Sequence, residues 1–246
     1  MRGWIWLVVG ALTLGCDSEP LDADESGLET GDTMGEPAPR ECIAPEGLGS
    51  PVSIEEVVEL INALPKPTSL PCFLESLDRP LGLAATDSRS SAQPSTGAEN
   101  PRLFISRAPL IMSVLPEGPG SNKLEFAVDI GDGLSIKGEL EFPIEDAIPF
   151  TEPYAQVRRQ TGTICGACHI REQHIETVDE VAIFASEALQ HPPETDISPS
   201  YVGALEGVCD PASTPDRCSM LTAVFGHGET FAEPLPSNIK ICRLVE

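Results

Sequence analysis

Basic side chains are scarce in this chain. Its 246 residues hold 15 Lys and Arg against 39 Asp and Glu, a formal net charge of −24. That balance excludes the basic stripe that nucleic-acid binding needs and disfavours attraction to anionic lipid. Aromatic residues make up only 5 %. No uncharged run approaches the roughly 20 residues that a membrane-spanning helix requires. Gly and Pro are plentiful instead, at 21 and 24 residues. This argues against a compact helical bundle and for a loop-rich fold of short elements. The length is enough for one large domain or two small ones with a real core. Eight cysteines are too many for a typical reduced cytosolic protein of this size.

The start of the chain reads as an export signal over residues 1–15. Arg2 is followed by the uncharged run Trp4–Leu14, the length of a signal-peptide apolar centre. Thr13-Leu14-Gly15-Cys16 resembles the lipobox of bacterial lipoproteins, with Thr13 where that family prefers Leu. The resemblance implies cleavage before Cys16 and acylation of Cys16. It also implies an exported chain anchored to the cell membrane or outer membrane, facing the periplasm or the surface and not spanning the bilayer. An ordinary signal peptide followed by an incidental Cys is the other reading. Residues 17–45 carry nine acids and one base and no aromatic. Such a segment cannot bury enough apolar area to offset chain entropy, so residues 16–45 read as an acidic, disordered spacer.

The body is expected to be α+β, with a helix and an antiparallel region over 46–150 and a loop-rich, short-helix segment over 151–246, separate or joined in one domain. Ser53 and Glu56 form a capping-box pattern before Ile54, Val57, Val58, Ile61 and Leu64, which recur at helical spacing until Pro65. Residues 66–101 show no clear period. Strands are expected over 103–106 and 109–115. Leu124, Phe126, Val128 and Ile130 then alternate with polar or small residues. After Gly131-Asp132-Gly133, Leu134, Ile136, Leu140 and Phe142 do the same. Pairing Ile130 with Leu134 puts every apolar residue of this hairpin on one face, with Gly138 opposite Phe126. Asp129 and Asp132 suit a plain turn far better than a calcium loop. Thr177 and Glu180 suggest a capped helix through Val181, Phe184, Ala185, Ala188 and Leu189, and a second helix is expected from Asp216 to Phe225.

One motif carries chemistry. Cys165-Gly166-Ala167-Cys168-His169 is a CxxCH sequence. Two thiols three residues apart on a helical turn project to one side and can add to the two vinyl groups of haem, while the adjacent His supplies a nitrogen to iron. Here the chain resembles the c-type cytochromes. That resemblance implies one covalent haem on Cys165 and Cys168 with His169 as proximal ligand. A thioredoxin-like dithiol, a zinc site and a Cys165–Cys168 disulfide are the competing readings. For the opposite face of the iron, His227 between Gly226 and Gly228 ranks first, Met220 second and His191 third, with an open site as the further alternative. His174 is too near His169 in the chain. Among the other cysteines, Cys209 and Cys218 enclose a stiff loop and form the expected pair. Cys72 with Cys242 is the second guess, leaving Cys42. The expected function is one-electron transfer outside the cytoplasm with a redox partner protein, a carrier role being favoured over a catalytic one. The alternative is a non-catalytic binding or structural surface protein stapled by disulfides.

Overall fold

Ser53 opens the first helix as its spacing predicts. Its Oγ accepts a hydrogen bond from the Glu56 N–H at 3.2 Å, and the Glu56 carboxylate accepts one from the Val52 N–H at 2.7 Å. The return bond of the capping box thus falls one residue early. The helix, α1, runs Ile54–Ala63 and fully buries Ile54, Val57, Val58 and Ile61. The computed structural model of the chain describes residues 37–236 and 239–241. The expected signal, Cys16, the first part of the spacer and Cys242 lie outside the described residues.

A second helix, α2 (Leu70–Ser76), capped by Ser69, leads into strand β1 (Leu81–Thr86). Neither was visible in the sequence. LGLAAT has no alternation because β1 is flanked by strands on either side and covered on both faces, so it reads as an unbroken small-apolar run. Strands β2 (Arg102–Arg107), β3 (Leu110–Val114), β4 (Lys123–Gly131) and β5 (Leu134–Glu141) follow as an antiparallel meander. Helix α3 (Glu152–Val157) lies against β5. Strands β6 (Gln173–Val178), β7 (Val181–Glu187), β8 (Leu189–Gln190), β9 (Asp196–Ile197) and β10 (Thr230–Ala232) complete the strands that matter here. Helices α4 (Pro199–Glu206) and α5 (Pro215–Leu221) precede β10. The main sheet has nine strands in the order β10-β1-β2-β3-β4-β5-β7-β6, with β9 also paired to β1. Among the described residues, the β1–β10 pairing is the one parallel pairing in this main sheet. The fold is α+β, dominated by one antiparallel-rich sheet with few short helices.

Two local expectations change. The β4–β5 register holds at Leu124–Leu140, Phe126–Gly138 and Val128–Ile136, but slips between Asp129 and Gly131, so Leu134 faces Gly131 and not Ile130. Gly131, Asp132 and Gly133 all take positive φ, at 86°, 54° and 70°, and this turn leaves Ile130 43 % exposed. The helix expected from Thr177 is a hairpin, β6–β7. Asp179 and Glu180 both adopt positive φ, at 45° and 67°, as a two-residue hairpin turn requires. Ile175, Thr177, Val178, Val181 and Ile183 supply β-branched side chains that overrode the i, i+3, i+4 coincidence. The helix expected at Asp216 is present as α5, continued by a π-helical turn over Thr222–Gly226.

The spacer expected over 16–45 does not extend through residues 37–45. Cys42 is bonded to Cys72, which overturns the Cys72–Cys242 guess. Arg40 donates to the Leu77 and His227 carbonyls, and the Ala38 N–H donates to the Gly226 carbonyl. Cys209 and Cys218 are joined, nine positions apart, as their spacing suggests. Helices and the sheet share one core on both sides of position 150, including Leu60, Leu83, Ile105, Met112, Val202 and Leu221.

Candidate functional site

The sheet has two unlike faces. Leu103, Ile105, Leu110, Met112 and Leu124 point into the core beneath the helices. The residues between them, Arg102, Phe104, Ile111, Ser113 and Glu125, line a cavity of about 330 Å³ on the other face. On β5 the alternate residues Ser135, Lys137 and Glu139 are only 2 %, 8 % and 6 % exposed, so this polar face is covered and not solvated. The cover is the segment after α3, together with residues 188–191 and 233–236.

The CxxCH motif is part of that cover. Cys165–Ala167 forms one 3-10 turn, closed by bonds from the Cys168 and His169 N–H groups to the Cys165 carbonyl at 3.2 and 2.8 Å. Glu172 organises the turn: its carboxylate accepts from the Thr163 N–H at 3.1 Å and from the Thr163 hydroxyl. A Cβ on Gly162 or Gly166 would run into that carboxylate, at 1.9 and 2.8 Å. At Gly162 the φ of +75° calls for glycine, and at Gly166 a side chain would force the Glu172 carboxylate to shift. Cys165, Cys168 and His169 all line the cavity, and the two cysteines are unpaired while Cys42, Cys72, Cys209 and Cys218 form disulfides.

The His169 Nδ1 lies 2.8 Å from the Glu187 carbonyl oxygen at the end of β7. A neutral ring donates Nδ1–H there and leaves the Nε2 lone pair free. Burial, then the nearby Lys137 cation, pushes the His169 pKa down to about 4, so the ring is neutral at pH 7. Burial also pushes the Cys165 thiol up to about 11, which makes it a poor nucleophile by itself. On the cavity floor Arg102 pairs with Glu125 and donates to the Ser113 hydroxyl at 2.6 Å, while Lys137 donates to Ser135. Burial lowers the Lys137 pKa to about 8.

The candidate iron ligands separate. His227 is outside the cavity lining: its Nδ1 bonds to the Ala38 carbonyl at 3.0 Å and its Nε2 is 4.0 Å from Glu75. It clamps the docked residues 37–45 and does not face His169. Met220 is 4 % exposed within the core, as its helical spacing with Leu221 and Val224 allows. His174 is on exposed β6, edge-on to Phe184. His191 alone of these lines the cavity. Glu172, Glu187, Lys137 and Arg102 were missed in the sequence. The alternation on β5 marked Lys137 as solvent-facing, and only the covered second face reveals otherwise.

Compared with known protein families, characterised proteins and solved structures, the chain shows no match. Among the described residues no group of three or more His, Cys, Asp and Glu side chains is placed to hold a metal ion. The resemblances to c-type cytochromes and to bacterial lipoproteins are therefore not sustained. The motif stands on a 3-10 turn over an antiparallel sheet, the described residues carry two disulfides, and no relative links the chain to either family. The same observation removes the zinc reading for the described residues. No described helix is long and apolar enough to cross a membrane.

Proposed function

We propose that the cavity holds one haem, bonded through Cys165 and Cys168 with His169 directed at iron, and that the protein passes single electrons outside the cytoplasm to a redox partner protein. The reading rests on this chain's own geometry and on no kinship. One observation carries it: two unpaired thiols and a neutral imidazole, its Nδ1 tied to a backbone carbonyl, line one cavity beside the apolar side chains of Phe104, Ile111, Val157 and Ile164. A haem brings four nitrogens of its own and asks only one more from the protein on each face, so it needs no cluster of protein ligands.

The residues fit that group in three respects. Each thiol can add across one vinyl group, sulfur bonding to one carbon and the thiol hydrogen passing to the other, so attachment consumes no oxidant. The Glu187 carbonyl fixes the His169 tautomer and orientation, the usual duty of an outer partner of a ligating imidazole. The third is that the covered sheet face, with Ser135, Lys137 and Glu139 buried, forms a fixed floor beneath the motif. When bound, haem would supply a one-electron iron couple. Two disulfides support an oxidising compartment.

The test is a visible spectrum of protein made with haem-attachment machinery, followed by acid-acetone extraction. The expected result is a reduced haem spectrum that survives extraction, with retention lost or weakened in Cys165→Ala and Cys168→Ala. A colourless protein with both thiols free overturns the proposal. It would leave a disulfide-stapled binding protein as the better account.

A further inference from the structure

We infer that the cavity floor is a binding site for a small monocarboxylic acid, with Lys137 holding the carboxylate and the apolar body lying across β4 and β3. The inference goes beyond the haem reading and does not rest on it. Its residues belong to the sheet and not to the CxxCH motif. The two occupants claim one space, so the acid belongs to the haem-free chain.

Lys137 carries the argument. It lines the cavity and is 8 % exposed. Its ammonium makes one hydrogen bond, to the Ser135 hydroxyl, and among the described residues it enters no ion pair. A buried charge is costly unless it is paired. The charges around it are already matched. Arg102 pairs with Glu125 and Lys123 with Glu139, so three cations meet two carboxylates around the floor. The other carboxylates of the lining stand apart. Asp129 is exposed and accepts from the Gly131 N–H at 2.9 Å, and Glu233 lies over Gly82 of β1. Burial lowers the Lys137 pKa only to about 8, which leaves the ammonium charged at pH 7. An arriving carboxylate gives it the counter-ion it lacks, in a charge-assisted bond stronger than a neutral one.

The sheet register shows where the rest of the ligand lies. Lys137 of β5 is opposite Ala127 of β4, Ala127 is opposite Ile111 of β3, and Ile111 is opposite Ser106 of β2. Neighbouring strands lie about 4.8 Å apart, so Ala127 and Ile111 form an apolar lane across roughly 10 Å of sheet beside the cation. The small side chain of Ala127 leaves that lane open next to Lys137. Val157 and Ile164 line the cavity from the covering segment. A volume of about 330 Å³ is at the lower end for small-molecule sites. One acid group on one short apolar body matches one unpaired cation and this lane. A doubly charged phosphate would meet the same single cation between two carboxylates.

The experiment is calorimetric titration of hexanoate into the full chain, produced without haem-attachment machinery, with hexanamide as the uncharged match in shape. The wild type is expected to bind hexanoate, and to bind hexanamide about 10- to 100-fold more weakly, the worth of a hydrogen bond to a charged group. Lys137→Met is expected to weaken hexanoate by the same factor. Ala127→Leu keeps the ammonium but fills the lane, and is expected to weaken hexanoate as well. Should that variant fail to fold, nuclear Overhauser contacts between the hexanoate chain and the Ala127 and Ile111 methyl groups in the wild type decide the same point. No binding of hexanoate to the folded wild type, equal binding of hexanamide, or undiminished affinity in Lys137→Met overturns the site. Undiminished affinity in a folded Ala127→Leu, or absence of those contacts, overturns the placement of the body. Every sample is free of haem, so none of these results bears on the haem reading.

Discussion

At the residue scale, Lys137 carries the clearest energetic consequence. Its ammonium is buried on the cavity floor with the Ser135 hydroxyl as its hydrogen-bond partner. Burial, with Arg102 adding repulsion, lowers its pKa from 10.5 to about 8. Between those values the unfolded chain holds the proton and the folded one releases it, so stability rises as pH goes from about 8 to 10.5, and below 8 that contribution is absent. Lys137→Met removes the buried charge and keeps the length of the side chain. It is expected to stabilise the protein by about 1–3 kcal/mol at pH 7 and to flatten the rise above pH 8. Urea denaturation at a series of pH values checks both, and a destabilised variant at pH 7 would refute the account. Residues such as this explain why the site was only partly legible. The CxxCH motif is local and could be read directly. The carbonyl of Glu187, the carboxylate of Glu172 and the ammonium of Lys137 join it only through tertiary contacts that no spacing announces.

At the scale of elements, legibility followed the clarity of the local pattern. Helix α1 and most of the β4–β5 register were readable because a cap, a period and a stop agreed in each. The β6–β7 hairpin was misread because Val181, Phe184, Ala185 and Ala188 also satisfy a helical period, and its turn is Asp179-Glu180 in place of an Asn-Gly signal. Both turn residues pay for positive φ without being glycine. Replacing the pair by Asn-Gly is therefore expected to stabilise the hairpin by about 0.5–1 kcal/mol. Thermal unfolding and amide exchange in β6 and β7 would measure this. Faster exchange there in the variant would show that the turn is not under strain.

At the scale of the whole molecule, two disulfides act on very different loops. Cys42–Cys72 closes a separation of 30 and Cys209–Cys218 one of 9. In the chain-entropy model the longer loop is worth about 3.5–4 kcal/mol and the shorter about 2.5–3. The variant Cys42→Ala/Cys72→Ala is thus expected to lose more stability than Cys209→Ala/Cys218→Ala, and denaturant midpoints decide; the reverse order would point to strain or denatured-state structure. The sheet itself carries a different consequence at this scale. It ends at β6, all six of whose residues are exposed, with its outer backbone groups unpaired by any described strand. Such a border is a template on which another chain can add. Glu176, Asp179 and Glu180 crowd the border and its turn, so at neutral pH two borders repel each other. Near the sequence pI of about 4.3 that repulsion fades. Colloidal failure in acid would then begin with intact molecules zipping edge to edge, before the core has opened.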